Sequence, residues 1–277
     1  FDAITHAISA ISTGGFANYD ASIAHFDSRA IEWITVIAMV AGGMNMGLHL
    51  IIWRERDLRV YLRDQELRAF WFFILIASAL VVWAGVMKQP ELGILTWVRL
   101  AVFEVVSVIT TTGFGIADFS SWPLFAPIVI IFVSFVGGCA GSTAGGIKVL
   151  RVFLLFKQAS REAKKLVQPN IVAHVKYNER VVPDAVASGI WGFFALYVFA
   201  TGIFTILMIG TGLEPTIAFS AVAAMINNMG PGLGSVASTF ASVTDFGKLT
   251  SIAAMLFGRL EIMTIFVLFT PIFWRRF

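Results

Sequence analysis

Charged residues are scarce in this sequence, since Asp, Glu, Lys and Arg together make up 13% of its 277 residues. A soluble domain usually has about a quarter charged residues, because its surface must be hydrated. Here 58% of the residues are hydrophobic and the mean hydropathy is +0.83, which argues against a water-soluble domain. Cysteine is scarcer still. Cys139 stands alone, which excludes an internal disulfide and a metal site built from cysteines.

Long apolar runs, in contrast, recur along the whole chain. Each is long enough to cross about 30 Å of hydrocarbon as a helix that rises about 1.5 Å per residue. The sequence therefore predicts an all-α integral membrane protein with several membrane passes. The runs cover residues 30–53, 69–87, 122–156, 181–212 and 249–274.

Most of the 20 Lys and Arg residues lie in three segments between or beyond these runs. Basic residues concentrate in the cytoplasmic loops of membrane proteins. We therefore predict that residues 53–68, residues 157–180 and the C-terminus, with Arg275 and Arg276, are cytoplasmic. Residues 157–180 also have the pattern of an amphipathic helix at the membrane surface. Because the basic residues lie at the edges of the membrane, we predict that they contact lipid. They do not predict a nucleic-acid partner.

A short motif occurs three times. Shifting "STGGFANYD" (residues 12–20) by 98 positions aligns it with "TTTGFGIAD" (residues 110–118), and a further shift of 117 reaches "NNMGPG" (residues 227–232). Each copy follows an apolar stretch of about 10–16 residues, which is too short to cross the membrane and fits a re-entrant pore helix. The repeated unit is therefore membrane helix, pore helix, glycine stretch and membrane helix.

We predict that such units surround a single pore. Residues 1–68 form the second pore repeat without its first helix. Residues 69–180 form the third, with an intramembrane glycine loop and a cytoplasmic linker, and residues 181–277 form the fourth. The pattern begins in the middle of a unit at Phe1, so we expect the first repeat upstream.

The glycine stretches are predicted to be the selectivity filter of this pore. Rings of backbone carbonyls can replace the hydration shell of a potassium ion, and non-helical backbone at membrane depth is tolerated where it lines a cavity. The alternative is a set of tight turns between helices; three copies in register favour the filter. Asp20 and Asp118 would attract cations to its outer mouth, and Glu104 on a pore helix is a candidate brace. The predicted filter residues are Ser12, Thr13, Gly14, Gly15, Phe16, Thr110, Thr111, Thr112, Gly113, Phe114, Asn227, Asn228, Met229 and Gly230.

The stretch "GGCAGSTAGGIK" (residues 137–148) breaks an apolar run in its middle, because so many glycines cannot hold a helix. Arg259 lies ten residues into the last run, where a charge usually faces a cavity or a partner. Our hypothesis is that this loop and Arg259 form a gate; Glu261 falls on another face. The alternatives are a passive kink and a structural arginine. The predicted gate residues are Gly137, Gly138, Gly141, Ser142, Thr143, Gly145, Gly146 and Arg259.

These motifs, with "GRLEIMT" near the end, resemble the bacterial Trk/Ktr/HKT superfamily of potassium transporters over residues 1–264. The resemblance implies potassium uptake across the bacterial inner membrane, with potassium as the transported ion, no organic cofactor and no enzyme activity. It also implies a homodimer and a ring of cytoplasmic nucleotide-binding regulatory subunits (TrkA-like). Glycine at the filter positions agrees with potassium selectivity, whereas Pro231 replaces the phenylalanine of the other copies. The alternative is a secondary symporter of potassium with protons or sodium, with a single site at the membrane midplane.

Overall fold

The computed structural model describes residues 1–123, 125–171, 173–260 and 262–275, and almost all of its regular structure is helical. The predicted all-α membrane fold is confirmed, with one two-stranded hairpin in the described part. The elements are α1 (Asp2–Ile11), α2 (Arg29–Gly43), α3 (Met46–Glu55), α4 (Arg59–Arg63), α5 (Gln65–Lys88), α6 (Ile94–Ile109), α7 (Phe125–Ser134), α8 (Val149–Val167), β1 (Lys176–Tyr177), β2 (Arg180–Val181), α9 (Asp184–Ile209), α10 (Pro215–Ile226), α11 (Asp245–Arg259), α12 (Ile262–Leu268) and α13 (Pro271–Trp274).

Two helices, α5 and α9, are each long and apolar enough to cross a membrane alone, as predicted for residues 69–87 and 181–212. The polar start of α5 is capped by Asp64, whose carboxylate accepts the N–H of Leu67 at 2.8 Å. The short helices α1, α6 and α10 coincide with the three predicted pore helices. In each copy a short helix therefore leads directly into the glycine stretch, and in the last two copies a long helix, α5 or α9, precedes it.

The prediction that residues 30–53 form one continuous helix is wrong. The chain turns by 95° between α2 and α3, where Asn45 accepts the N–H of Gly47 at 2.8 Å and caps the new helix. The end of α2 lies directly against the end of α1, because a Cβ added to Gly42 would be 2.2 Å from the carbonyl oxygen of Ile11. That close approach needs glycine, and the bend follows immediately after it.

The last apolar run is also broken, since α11 ends at Arg259 and α12 begins at Ile262. Arg259 is therefore the last residue of a helix, and not a residue in the middle of a continuous span as the sequence suggested. Gly258 repeats the contact of Gly42: its added Cβ would be 1.8 Å from the carbonyl oxygen of Ile226, at the end of α10. The predicted break in residues 122–156 is confirmed, between α7 and α8. Glu261 and Arg276 lie outside the described residues.

The basic segment 157–180 is only partly the predicted amphipathic helix. Helix α8 ends at Val167, and the segment then forms the antiparallel hairpin of β1 and β2. Its turn residues Asn178 and Glu179 both have positive φ (42° and 67°), as two-residue hairpin turns require. The Asn178 side chain bonds Asp64 Oδ2 at 2.7 Å and the N–H of Gln65 at 3.0 Å. The hairpin is thereby anchored to the start of α5.

Candidate functional site: three glycine stretches and an intramembrane loop

The three short helices α1, α6 and α10 end in the same hydrogen-bonded turn. In each copy an N–H beyond the helix bonds the carbonyl five residues earlier, while the preceding N–H bonds back three residues, which is the Schellman arrangement. Two carbonyls at each helix end are satisfied by these bonds. The longer bonds join Gly14 to Ser9 at 2.8 Å, Thr112 to Ser107 at 2.8 Å and Met229 to Ala224 at 2.9 Å, and the shorter-range ones start at Thr13, Thr111 and Asn228.

The backbone then alternates in the same way in all three copies. The first residue beyond the helix cap has positive φ, the next does not, and the following glycine is positive again. A β-branched residue in the left-handed region is a genuine outlier and costs about 1–3 kcal/mol. The matching angles are 51°, 53° and 56° for Thr13, Thr111 and Asn228, and 69°, 84° and 93° for Gly15, Gly113 and Gly230.

Neighbouring glycine stretches touch each other. A Cβ added to Gly15 would lie 1.8 Å from the carbonyl oxygen of Thr112, and one added to Gly113 would lie 2.2 Å from that of Met229. Only glycine fits at both positions, since backbone carbonyls cannot move aside. At Gly230 the corresponding space is open within the described residues. The second copy thus meets the third, and the third meets the fourth.

The side chains around the copies differ. Phe114 is 1% exposed and its carbonyl accepts the Ser107 hydroxyl at 2.6 Å, whereas the matching Phe16 is 82% exposed. In the last copy Asn227 accepts the Tyr197 hydroxyl and donates to Ser134 Oγ at 2.8 Å, which ties it to α9 and α7. The backbone conformation is the same in the three copies, but the side chains that surround them are not equivalent.

Two carboxylates act beside the middle copy. Glu104 is 1% exposed, and its Oε1 accepts the N–H groups of Ile116 at 2.9 Å and Ala117 at 3.2 Å. It therefore braces the segment just after the glycine stretch, as the sequence suggested. Asp118 is exposed and caps a short 3₁₀ helix by accepting the N–H of Ser120 at 2.9 Å. Asp20, the other expected mouth residue, is also exposed.

The glycine loop between α7 and α8 touches all three copies. Thr13 donates to the Thr143 hydroxyl at 3.0 Å, and Thr111 accepts the N–H of Gly145 at 2.6 Å. A Cβ on Gly145 would also lie 2.4 Å from the carbonyl oxygen of Asn227. Arg259 adds a contact from the fourth repeat, because its Nη1 donates to the Thr143 carbonyl at 3.3 Å. The predicted gate residues Thr143 and Arg259 are thus brought together.

The loop is closed on itself and held from outside. Its ends meet at Gly137 and Gly146, both with positive φ, and the N–H of Cys139 bonds the Gly43 carbonyl at 2.9 Å. Gly138 is buried, and Gly141 lies at the loop tip beside Asn45. Ser142 donates back to the Cys139 carbonyl at 2.6 Å. Each of these residues belongs to one compact turn.

A residue that the sequence analysis missed anchors this loop. The buried carboxylate of Glu66, at the start of α5, accepts the N–H of Ala140. The sequence did contain a signal for this role: Glu66 lies next to the apolar run at residues 69–87, and a charge at membrane depth is costly unless it has a partner. Lys148 closes the loop from the other end by donating to the carbonyls of Ala144 and, at 3.4 Å, Ser142.

Comparison with known proteins now decides the family. The TrkH family, described as "Cation transport protein", matches residues 1–275. The chain belongs to the TrkH family. It is 45% identical over 278 residues to the Trk system potassium uptake protein TrkH of Salmonella typhimurium, which covers 99% of this chain and 57% of that protein. The TrkH of Halomonas elongata is 42% identical over 279 residues, covering 100% of this chain and 57% of that protein.

A solved structure agrees. The crystal structure of the potassium transporter TrkH from Vibrio parahaemolyticus matches with a TM-score of 0.93 and 42% identity, over 99% of this chain and 59% of that one. The chain thus spans a little over half the length of the TrkH relatives it matches. The family consists of transporters, which confirms the predicted superfamily and agrees with the expectation that the chain is not an enzyme.

In this TrkH-family chain, Glu104→Ala should lower the thermal midpoint of the purified protein. Removal of the carboxylate takes the acceptor from two half-buried N–H groups, at about 1 kcal/mol for each lost bond. Glu104→Gln is the matched control, because its amide oxygen can accept the same two bonds and it should retain most of the stability. Equal midpoints for both variants in a detergent melting experiment would contradict the bracing role.

Proposed function

We propose that this chain forms three walls of a potassium-selective pore through which the whole protein takes up potassium across the bacterial inner membrane. The observation that carries the proposal is the contact of three glycine stretches with one backbone alternation. The relatives' description as potassium uptake proteins supports it. Because the chain spans a little over half of those relatives, the activity is proposed for the whole protein.

The filter would work through backbone carbonyls. Alternating positive and negative φ lets successive carbonyl oxygens face one side, where they can replace the water around a potassium ion. The negative ends of α1, α6 and α10 would add to the attraction, and the exposed Asp20 and Asp118 would raise the local cation concentration. No chemical step is needed, since the membrane potential supplies about 2.3 kcal/mol per charge per 100 mV.

The glycine loop and Arg259 would form the gate. The loop contacts Thr13, Thr111 and Asn227 at the helix ends, so it lies against the inner end of the proposed filter. The guanidinium of Arg259 on the loop would repel cations electrostatically. Opening would require the loop to leave these contacts.

The arrangement of repeats and partners follows the same proposal. Residues 1–68, 69–180 and 181–277 would be the second, third and fourth repeats, and the first would face the open side at Gly230 and the exposed Phe16. Residues 53–68, residues 157–180 and the C-terminus would be cytoplasmic. The whole protein would form a homodimer, and a ring of TrkA-like nucleotide-binding subunits would dock on the basic surface.

The filter is tested by Gly113→Ser in the full-length protein. Its Cβ would meet the Met229 carbonyl, so the variant should distort the filter and lose most of its preference for potassium over sodium. The measurement is rubidium uptake into liposomes with potassium or sodium as competitor. Gly93→Ser is the matched control, because Gly93 also has positive φ (74°) but no atom within 4 Å of its added Cβ.

The outcomes separate the two candidate functions. Selective uptake that survives in Gly93→Ser and fails in Gly113→Ser supports the filter. If uptake is unchanged in Gly113→Ser and depends on a proton or sodium gradient, the symporter replaces the selective pore as the proposed function. Equal loss of selectivity in both variants would point to backbone strain alone.

The gate is tested by Arg259→Ala. We expect several-fold faster uptake in the absence of regulatory subunits, because a positive charge and a bond to the Thr143 carbonyl are both removed. Lys248→Ala is the control, since it removes a partly exposed cation from the same helix, α11. Unchanged uptake in Arg259→Ala would leave the arginine with a purely structural role.

A further inference from the structure

An open cleft of about 540 Å³ lies between α5 and α8, away from the glycine stretches. One part of its lining is aromatic, with Phe72 and Phe73 from α5 and Phe153 and Phe156 from α8. Phe72 and Phe156 are 58% and 65% exposed. In a membrane protein such side chains face lipid, so this part of the cleft is apolar and accessible from the bilayer.

The other part of the lining is cationic. Arg68 and Lys157 both border the cleft, and the charged residues among its described lining include no carboxylate. The two cations are close enough to interact: desolvation and then the charge of Arg68 lower the pKa of Lys157. Two like charges beside an apolar wall are unfavourable unless an anion neutralises them.

The polar contacts leave room for such an anion. Lys157 Nζ donates to Gln65 Oε1 at 2.8 Å and to the Lys176 carbonyl at 2.6 Å, which uses two of its three donors. It also lies 4.5 Å from the centre of the Phe153 ring. The carboxylate that caps α5, Asp64, is already bonded to Leu67, Tyr177 and Asn178 and does not line the cleft.

We propose that this cleft binds one anionic phospholipid. The phosphate would lie between Arg68 and Lys157, and an acyl chain would run along Phe72 and Phe156. The charge complementarity selects an anion, and the apolar wall directly beside the cations selects a lipid over a free phosphate. Basic pockets between membrane helices on the cytoplasmic side bind acidic head groups in this way, and the density of Lys and Arg here predicts that side.

The test is native mass spectrometry of the purified full-length protein, titrated with phosphatidylglycerol or phosphatidylcholine. We expect Arg68→Gln combined with Lys157→Gln to weaken phosphatidylglycerol binding about 30-fold, since each basic residue near an anionic surface contributes about fivefold. Arg59→Gln combined with Lys164→Gln is the matched control: both residues are exposed, lie on α4 and α8 and are outside the cleft. The control pair should bind like the unaltered protein.

Several results would overturn the proposal. These are equal binding of the two lipids, an equal loss in the test and control pairs, or displacement of the lipid by millimolar glycerol phosphate. A protein chain retained on the cleft in place of lipid would do the same. If the double variant does not fold, Arg68→Gln alone should still weaken binding about fivefold, because it neutralises one of the two cations that line the cleft. Lipid binding is measured without ion flux, so its failure and that of the potassium pore remain distinct.

Discussion

A backbone N–H or carbonyl that lies away from water must be hydrogen bonded, and the backbone of the proposed pathway depends on that constraint. Three short helices end inside the protein, where their last carbonyls have no helical partner. Paired bonds from the next two N–H groups satisfy two of them in each copy. The chain that leaves these turns has few options: it must line a cavity or contact other backbone, and at Gly15 and Gly113 it does the latter.

The same constraint explains why the strained position in each turn is not glycine. Glycine would adopt the left-handed conformation without cost. Thr13, Thr111 and Asn228 accept the strain because each side chain makes a bond that glycine cannot. Thr13 bonds Thr143 and Thr111 bonds Gly145, whereas Asn228 donates to the Met255 carbonyl at 3.2 Å. Each strained residue thus joins its own turn to the loop or to the broken second helix of its unit.

The three copies of the motif, the short helix before each copy and the glycine loop could be predicted from the sequence, because residue spacing and glycine content depend directly on the local backbone conformation. The bends after Gly43 and Arg259 could not, since Gly42 and Gly258, just before them, approach helices that are distant in the sequence. The hairpin at residues 176–181 was missed for a similar reason: it is held by Asp64, more than 100 residues earlier. In the sequence, Glu66 looks like any polar residue that flanks a membrane helix. Only the tertiary structure shows that it accepts the N–H of Ala140.

The contacts between the loop and the turns also limit how the proposed gate could open. Thr143 and Gly145 bond the strained residues themselves, so the loop cannot move without releasing the turns that precede the glycines. A neutral hydrogen bond contributes about 0.5–1.5 kcal/mol net, and the Arg259 bond, to a charged group, about 1.5–3 kcal/mol. Three such bonds amount to about 2.5–6 kcal/mol, which is at or above the 1–3 kcal/mol that typically couples two sites in a regulated protein. Under the proposed function, a cytoplasmic regulator would therefore have to favour the released loop by a similar free energy, and the turns that precede the glycines would be released with it.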